Sequence, residues 1–420
     1  MGKPISFGKC SIYMIYPFLM SISSTVDYII LSIVDKLDES AVDDKFGNHP
    51  FFIMLLMYIG ESFIIILFLI QRSNSNRTKH SVTKSETFFP NRENQEFIHG
   101  EKLPFLPHKQ RKKTILLITC LGIFDFASSV LGVIIDKLGV DFFFIIFQAI
   151  LLLFTAQICR MFLKYQYHRY HLAGIIIYLV GVILYSIFDN VFIARNIFNT
   201  GQYFLYIGLM IIGQFFGGFL DCGEKYLMEY KYINPFIIVF LEGLSGTLIM
   251  IILLVSISYI KCTPDNLFCN DYGYVESFGR TIKYIFTHSY YALLFSCFLI
   301  FIFLTNTFRI LINEHYSPVH RGISNTISPC FKWILRVTIP FFHSEAQISD
   351  LSYYLGISFS YIFMIIGVLI FLQVILINCC NISHNIREEI IKRETQDIVL
   401  LRGDKKEGND KRFNELGIYD

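Results

Sequence analysis

Two glutamates occupy similar positions in two long apolar segments of the chain. Glu61 follows a His-Pro-Phe sequence at residues 49–51, and Glu242 follows an Asn-Pro-Phe sequence at residues 234–236. A carboxylate at the centre of a lipid-facing helix costs about 2.5 to 3.5 kcal/mol on insertion scales, so such a group normally faces a protein interior or a wet cavity. The two positions therefore predict a polar pathway inside a membrane, built from one unit that occurs twice.

Asp125 is a third acid near the middle of an apolar segment, and Asp27 is a candidate fourth. Because burial favours the neutral form of a carboxylic acid, Glu61, Asp125 and Glu242 are candidates for proton coupling. The sequence leaves two alternatives open for these three acids. They line a cavity, or they pair with a base such as Lys332.

Other polar side chains in the apolar segments could contact a solute, although such side chains also join helices to one another. The complete set of candidate cavity residues is Glu61, Asp125, Gln148, Glu242, Asn306, Asn325 and Lys332. A second group lies near the ends of its segments and is expected at the membrane interface, namely Arg160, Arg309, Glu224 and Lys225.

The sequence lacks the motifs of several enzyme classes: a nucleophile elbow, a P-loop, a His-Glu-x-x-His pair and an Asp-rich metal motif. Its ten cysteines form no Cys-x-x-Cys pair and no cluster at zinc-ligand spacing. We therefore expect no enzyme, no catalytic residue, no bound metal and no cofactor. Cys262 and Cys269 share one loop and either form a disulfide or remain free thiols.

The composition is that of a membrane protein, with 54% apolar and 17% charged residues. A helix needs about 20 apolar residues to cross about 30 Å of hydrocarbon. Continuous apolar runs such as residues 64–70 do not alternate as barrel strands do, so helices are predicted. The ten predicted spans are 10–34, 50–70, 114–135, 141–163, 171–188, 204–223, 235–259, 290–312, 323–342 and 351–378.

The placement of Lys and Arg predicts which loops face the cytosol. The loop at residues 71–113 carries ten basic residues, whereas residues 343–350 carry none. Both termini are then cytosolic, residues 1–9 and the charged tail 379–420, as an even span count requires. The net charge of +2 gives no argument for a nucleic-acid partner. The expected partners are the lipid bilayer and a small-molecule solute, and a homodimer remains an open alternative.

Small residues and prolines predict local features of the packing. Gly213, Gly217 and Gly218 form a small face that is expected to approach another helix closely. Pro329 and Pro340 lie in the ninth predicted span, and each removes a backbone hydrogen bond. We expect them to kink or break that helix.

The order of several short motifs along the chain carries a family resemblance. Glu-Lys-Tyr at residues 224–226 precedes Asn-Pro at 234–235 and Glu-Gly-Leu at 242–244, and Gly-Glu at 60–61 stands in the first half. With these motifs the chain resembles the drug/metabolite transporter superfamily, in particular the nucleotide-sugar-transporter-like (EamA-type) branch of solute carrier family 35, subfamily F. Further matching positions are Asp125, Phe154, Thr155, Asn306, Arg321 and Trp333.

The resemblance implies a drug/metabolite transporter fold, an all-α polytopic membrane protein of two inverted five-helix repeats. The first repeat would be residues 10–188, with a flexible cytosolic loop at 71–113, and the second would be residues 204–378. It also implies an endomembrane of lysosomal or Golgi type rather than the plasma membrane. Gln148 and Asn325 stand where the branch has an arginine and an aspartate, so its substrates do not carry over to this chain.

Inverted repeats can exchange conformations around a central site. The expected function is therefore alternating-access transport of a polar or amphiphilic organic solute, with nucleotide sugars and other metabolites as candidates. The alternative is a non-transporting membrane scaffold that uses a transporter fold and acts through its cytosolic loop and tail.

Overall fold

The structure is a computed structural model that describes residues 5–7, 15–40, 50–82, 111–137, 144–165, 167, 169–192, 200–262, 273–276, 278–325, 327–339, 351–372 and 374–377. Several sequence predictions fall outside the described residues: the tail at 379–420, residues 83–110 of the predicted loop, Cys269 and Pro340.

Helices form nearly all of the described elements. They are α1 (Ile15–Ser40), α2 (Pro50–Ser62), α3 (Ile65–Val82), α4 (Arg111–Lys137), α5 (Phe144–Phe162), α6 (Arg169–Phe192), α7 (Thr200–Lys231), α8 (Pro235–Ile257), α9 (Phe278–Thr287), α10 (Ser289–His315), α11 (Pro318–Ser324), α12 (Ile327–Thr338) and α13 (Leu351–Phe371). Two short strands, β1 (Ile5–Phe7) and β2 (Ile375–Ile377), flank them. Because α3 continues to Val82, the first residues of the predicted flexible loop are helical.

Within the described residues, eight helical segments are long and apolar enough to cross a membrane. They are Ile15–Val34, Pro50–Ser73, Lys112–Ile134, Ile145–Phe162, Arg169–Phe188, Pro235–Ile257, Ser289–His315 and Ser352–Phe371. The prediction of a helical, multi-pass integral membrane protein is thereby confirmed.

The other two predicted spans have a different form. Residues 204–223 lie inside α7, a helix of 32 residues that carries Asp221, Glu224 and Lys225 toward its end. Residues 323–342 do not form one helix, because α11 ends at Ser324 and α12 begins at Ile327. Pro329 explains this break, since it has no N–H to donate to the carbonyl of the residue four positions earlier.

The chain forms two compact units. The first comprises residues 1–10, 166–181 and 362–420. In this unit β1 and β2 pair antiparallel, with Ile5 opposite Ile377 and Phe7 opposite Ile375. The last predicted span, 351–378, is thus helical only as far as Phe371, and a strand follows.

The second unit comprises residues 11–165 and 182–361 and contains the candidate site. In it α2 packs on α8, α4 packs on α7 and α8, and α10 packs on α1 and α2. Buried apolar side chains fill the interface between α2 and α8, among them Phe51, Met54, Met250 and Leu254. This interface fixes how the two glutamate-bearing helices face each other.

The glycine face of α7 lies against its neighbours, as predicted. A Cβ atom at Gly217 would lie 3.1 Å from Leu151 of α5, and one at Gly218 would lie 3.1 Å from Ile158 of the same helix. Gly213 faces α4, where a Cβ atom would lie 3.4 Å from Leu131. Small residues therefore let α7 pack closely on both α4 and α5.

Candidate functional site

Glu61 lies at the point where α2 ends. Residues 63–64 form a turn before α3 begins, and the backbone nitrogen of Ile64 donates to the carbonyl oxygen of Glu61 at 3.1 Å. The backbone nitrogen of Ile66 donates to the carbonyl oxygen of Phe63 at 3.0 Å. Bonds of this three-residue spacing are tighter than those of an α-helix, and inside a long helix they often mark a functional hinge. Glu61 is therefore placed on a local interruption of its membrane span.

Two glycines of α8 allow Glu242 to approach this interruption. A Cβ atom on Gly243 would lie 2.7 Å from the Cβ atom of Glu61, and one on Gly246 would collide with the ring of Tyr58. Larger side chains at either position would separate α2 from α8. The Gly-Glu and Glu-Gly pairs of the two halves are thus in direct contact.

Asn234 determines where α8 begins. Its side-chain oxygen accepts a hydrogen bond from the backbone nitrogen of Phe236 at 3.0 Å, and Pro235 occupies the first helical position. This combination of cap and proline is typical of a helix start. The Asn234 amide nitrogen also donates to Gln71 of α3 at 2.9 Å, which links the two helices.

Five helices contribute side chains to one small cavity beside the two glutamates. It is lined by Glu61 of α2, Asp125 of α4, Glu224 of α7, Val239 and Glu242 of α8, and Asn306, Arg309 and Ile310 of α10. Its volume is about 10 Å³, which is space for about one water molecule. The cavity therefore brings together four of the seven predicted residues, in a conformation too compact for an organic solute.

The base in this cavity is Arg309. Its Nη1 atom donates to Oδ1 of Asn306 at 3.4 Å, and its Nη2 atom lies 3.7 Å from Oε1 of Glu224. Arg309 had been expected at the membrane interface because its predicted span ends at residue 312. The helix in fact continues to His315, so Arg309 lies deeper in the protein than the span boundary indicated.

A second guanidinium, that of Arg321, forms a buried network next to the cavity. Its Nη2 atom lies 2.8 Å from Oδ1 of Asp221, and its Nη1 atom lies 2.5 Å from Oε2 of Glu224. Asn313 donates from Nδ2 to the same Glu224 oxygen at 2.9 Å. Two atoms of this network, Oδ2 of Asp221 and Nε of Arg321, have no hydrogen-bond partner among the described residues, so the hydrogen bonding of the buried ion pair is incomplete.

Lys225 is also buried, with 3% of its surface exposed. Its Nζ atom donates to the carbonyl oxygens of Asn313 and Glu314, each at 2.8 Å. Glu224 and Lys225, which were expected at the membrane interface, are therefore buried among the helices of the protein. Glu224 and Lys225 follow Asp221 by three and four residues, which places the three side chains on one face of α7. This spacing is the signal in the sequence that the three charged side chains point to the same side of the helix.

Three predicted cavity residues lie elsewhere. Gln148 is half-buried on α5, and its Oε1 atom has no hydrogen-bond partner among the described residues. Asn325 ends α11, where its backbone nitrogen donates to the carbonyl oxygen of Arg321 at 3.1 Å. The Nζ atom of Lys332 lies 5.4 Å from the centroid of the Tyr28 ring. None of the three is among the residues that line the cavity.

Asp27 belongs to a separate polar contact between α1, α10 and α12. Its Oδ2 atom accepts a hydrogen bond from Thr305 at 3.2 Å, and Ser328 donates to Ser24 at 3.1 Å. Asp27 is buried, with 7% of its surface exposed. This acid is therefore distinct from those that line the cavity.

A disulfide joins Cys159 of α5 to Cys222 of α7, with Cα atoms 5.8 Å apart. The two cysteines are separated by 63 positions and have no Cys-x-x-Cys spacing, so this pair could not be predicted from the sequence. Cys262 is also disulfide-bonded. Its proposed partner, Cys269, lies outside the described residues.

The described residues contain no group of three or more His, Cys, Asp or Glu side chains arranged to hold a metal ion. In comparisons with known proteins, no family model matches the chain and no curated protein matches its sequence. The chemistry of the site therefore has to be argued from its own geometry. Clustered carboxyl groups can bind and release protons, whereas guanidinium groups stay charged, and both can bind charged groups of a solute.

Proposed function

We propose that the chain is a transporter of the drug/metabolite transporter type, which moves a polar or amphiphilic organic solute by alternating access. One observation carries the proposal. Glu61, Asp125 and Glu242 come from three different membrane helices and meet Arg309 around one cavity. Ionisable side chains inside a membrane protein are costly to bury and are typical of transport pathways.

The pattern of helix packing supports two repeats with ten spans, the sixth being in α7 and the ninth in α11 and α12. In two such repeats, spans 1 to 5 correspond to spans 6 to 10 in order. Replacing each span by its counterpart turns the packing of span 1 on span 8 (α1 on α10) into the packing of span 6 on span 3 (α7 on α4), which the structure also contains. It likewise converts α2 on α10 into α8 on α4, and α5 on α7 into α12 on α1. The pairs of α2 with α8 and of α5 with α11 convert into themselves. A pseudo-two-fold relation between the halves explains this pattern.

The strand pair supports an even number of spans. β1 precedes the first span and β2 follows the last, and they form one antiparallel ladder. Two segments that pair outside the hydrocarbon lie on the same side of the membrane. With the basic loop at residues 71–113, this favours cytosolic termini, and we place the protein in an endomembrane on the family resemblance alone.

Two helix interruptions supply the movement that alternating access requires. The turn at residues 63–64 follows Glu61, and α11, which carries Arg321, ends at Ser324 before α12 begins at Ile327. A movement of α11 away from α7 would break the contact of Arg321 with Asp221 and Glu224. The compact structure is then one closed state of the cycle.

The test is solute uptake into liposomes that contain the purified full-length chain, with neutral pH on one side and mildly acidic pH on the other. We expect concentrative uptake of one solute class, which the double variant Glu61→Gln, Glu242→Gln abolishes. Arg160→Gln is the control, because it removes a charge from an exposed side chain at the end of α5. Wild-type uptake by a correctly inserted double variant would exclude the assigned site.

A non-transporting scaffold is the second candidate, and the small volume of the cavity favours it. About 10 Å³ leaves no space for an organic solute, and the Arg321 network holds the neighbouring helices together. If the protein is a scaffold, we expect that liposomes containing it take up no solute from any class and that no solute raises the melting temperature of the purified protein. Partners would then be sought with the cytosolic loop and tail.

A further inference from the structure

A groove on the surface of the second unit lies between the first residues of α4 and the last residues of α7. It is lined by Lys113, Thr114, Leu116, Leu117, Cys120, Tyr226 and Lys231. Its volume is about 340 Å³, whereas the cavity beside Glu61 and Glu242 has about 10 Å³. Ligand pockets typically measure about 300 to 1,000 Å³, so the groove is large enough to hold part of a ligand.

The two lysines of the groove lie at one surface of the membrane. Lys113 is near the beginning of the apolar segment Lys112–Ile134, and Lys231 is the last residue of α7, which packs on α4. Because Tyr226 and Lys231 share the groove with Lys113, the end of α7 lies beside the beginning of α4. The basic loop that precedes α4 makes this the cytosolic surface in the proposed topology.

Beyond the lysines the wall of the groove is largely apolar. Leu116 is 65% exposed, and Cys120 is an exposed free thiol. An α-helix rises about 1.5 Å per residue, so the groove extends about 10 Å along α4 from Lys113 to Cys120. Next to Cys120, α4 and α7 are in contact, since a Cβ atom on Gly223 would collide with Leu121. The groove is therefore charged at the membrane surface and apolar where it enters the hydrocarbon.

The charges around the groove favour an anionic group. Among the described residues that line it, Lys113 and Lys231 are basic and none is acidic. Glu229 is close to Lys231 in sequence, but its Oε1 atom lies 3.3 Å from Nζ of Lys225. An ammonium group binds phosphate as a compact point charge, and a tyrosine hydroxyl such as that of Tyr226 can donate a further hydrogen bond. A phosphate group at the mouth of the groove therefore meets complementary charge.

We infer that the groove binds one anionic phospholipid of the cytosolic leaflet. Its phosphate and headgroup lie between Lys113 and Lys231, and the first carbons of one acyl chain lie along Leu116 and Cys120. A zwitterionic lipid leaves the positive charge of the two lysines uncompensated, whereas an anionic lipid neutralises it, so the groove selects by charge. Basic pockets between membrane helices on the cytosolic side bind such headgroups. The inference involves none of the acids of the cavity, and it holds whether or not the protein transports a solute.

The test is native mass spectrometry of the purified full-length protein in detergent with phosphatidylserine, phosphatidylinositol and phosphatidylcholine at equal concentrations. We expect one molecule of an anionic lipid to remain bound at concentrations at which phosphatidylcholine does not. The anionic lipid should also raise the melting temperature, because it binds the folded state. Equal retention of the three lipids would overturn the inference, since it would show a lipid-facing surface without selectivity.

Variants separate charge from shape. The double variant Lys113→Gln, Lys231→Gln should raise the Kd of the anionic lipid about thirtyfold, since one basic residue near the membrane surface contributes about fivefold. The matched control Arg160→Gln, Lys164→Gln removes two exposed charges at the end of α5 and should leave the Kd unchanged. Leu116→Trp keeps both lysines but fills the apolar part of the groove, so it should also weaken binding. An unchanged Kd in the double lysine variant would overturn the inference.

The labelling rate of Cys120 shows where the lipid binds. In detergent, the anionic lipid should slow the reaction of Cys120 with N-ethylmaleimide relative to phosphatidylcholine, and the double lysine variant should lose this protection. The half-buried Cys297 on α10 is the internal control and should react at the same rate with either lipid. Equal rates at Cys120 would place the lipid elsewhere and overturn the inference. Glycerophosphoserine binding as tightly as phosphatidylserine would also overturn it, because the groove would then hold a soluble phosphate compound.

Discussion

Arg321 holds the short helix α11 against α7 through Asp221, with 2.8 Å between Nη2 and Oδ1. Both side chains are buried, and Arg321 bonds Glu224 as well. Loss of one partner of a buried ion pair costs about 3 to 5 kcal/mol, because the other charge is left without compensation. We therefore expect Arg321→Gln to lower the free energy of unfolding by about that amount, measured by denaturant unfolding in detergent.

The control for this prediction is Arg160→Gln, which removes an exposed arginine at the end of α5. Its effect should stay within about 0.5 kcal/mol, as is usual for surface substitutions. Adding Asp221→Asn to Arg321→Gln should restore part of the lost stability, since the buried acid no longer lacks its base. Equal stability of wild type and Arg321→Gln would show that the contact does not hold α11 in place.

Gly243 should not tolerate even a methyl group. A Cβ atom there would lie 2.7 Å from the Cβ atom of Glu61 and 2.8 Å from the backbone nitrogen of Ser62, and backbone cannot move aside cheaply. Overpacking of a well-packed interior typically costs about 1 to 3 kcal/mol. We expect Gly243→Ala to lower the melting temperature and to reduce uptake, because α8 would be pushed away from the helix interruption.

Gly208→Ala serves as the matched control on a helix of the same unit. Nothing lies within 4 Å of a Cβ atom placed at Gly208, so the change has only its effect on helix propensity. That effect favours alanine by up to about 1 kcal/mol. If Gly243→Ala were as stable as Gly208→Ala, α2 and α8 would not be as close as the structure has them.

The acids of the site could be predicted from sequence, but the bases could not. Glu61 and Glu242 can be recognised because each interrupts a long apolar run. Burial of a carboxylate in a membrane segment is costly, so such a residue is typically part of a functional site. Arg309 lies close to a predicted span end, where a long cationic side chain ordinarily reaches the interface, so hydropathy alone points outward. Only the packing of α7 on α10 turns Arg309 inward.

The helix interruptions were predictable to different degrees. Pro329 predicts the break between α11 and α12, because it removes a backbone hydrogen-bond donor. The turn at residues 63–64 has no proline or glycine of its own, and it lies where α8 closely approaches Glu61 and Ser62 at Gly243. Such tertiary contacts have no local signal in the sequence.

Asn234 is expected to contribute to stability through its cap. Its side chain accepts the Phe236 N–H at 3.0 Å, and replacement of such a cap by alanine typically costs about 1 kcal/mol. We expect Asn234→Ala to lower the unfolding free energy by about that amount. Asn234→Asp keeps a capping oxygen but loses the donor to Gln71, so an effect of Asn234→Asp as large as that of alanine would assign the stability to the Gln71 contact instead.

The Cys159 and Cys222 disulfide should be detectable by labelling and by stability. Maleimide applied to unfolded, unreduced protein should modify Cys120, Cys297 and Cys330, which are free thiols, and should modify Cys159 and Cys222 only after reduction. Peptide mass spectrometry distinguishes the sites. In a Cys159→Ser variant, Cys222 should react without reductant.

The bond closes a loop whose ends are 63 positions apart, and the chain-entropy model assigns about 4 kcal/mol to a loop of that size. Cys159→Ser should therefore lower the unfolding free energy by up to that amount, and reduction of the wild type should have the same effect. Cys120→Ser, at an exposed free thiol, should change it by less than about 0.5 kcal/mol. Labelling of Cys159 and Cys222 before reduction would show that α5 and α7 are held together by packing at Gly217 and Gly218 without a covalent bond.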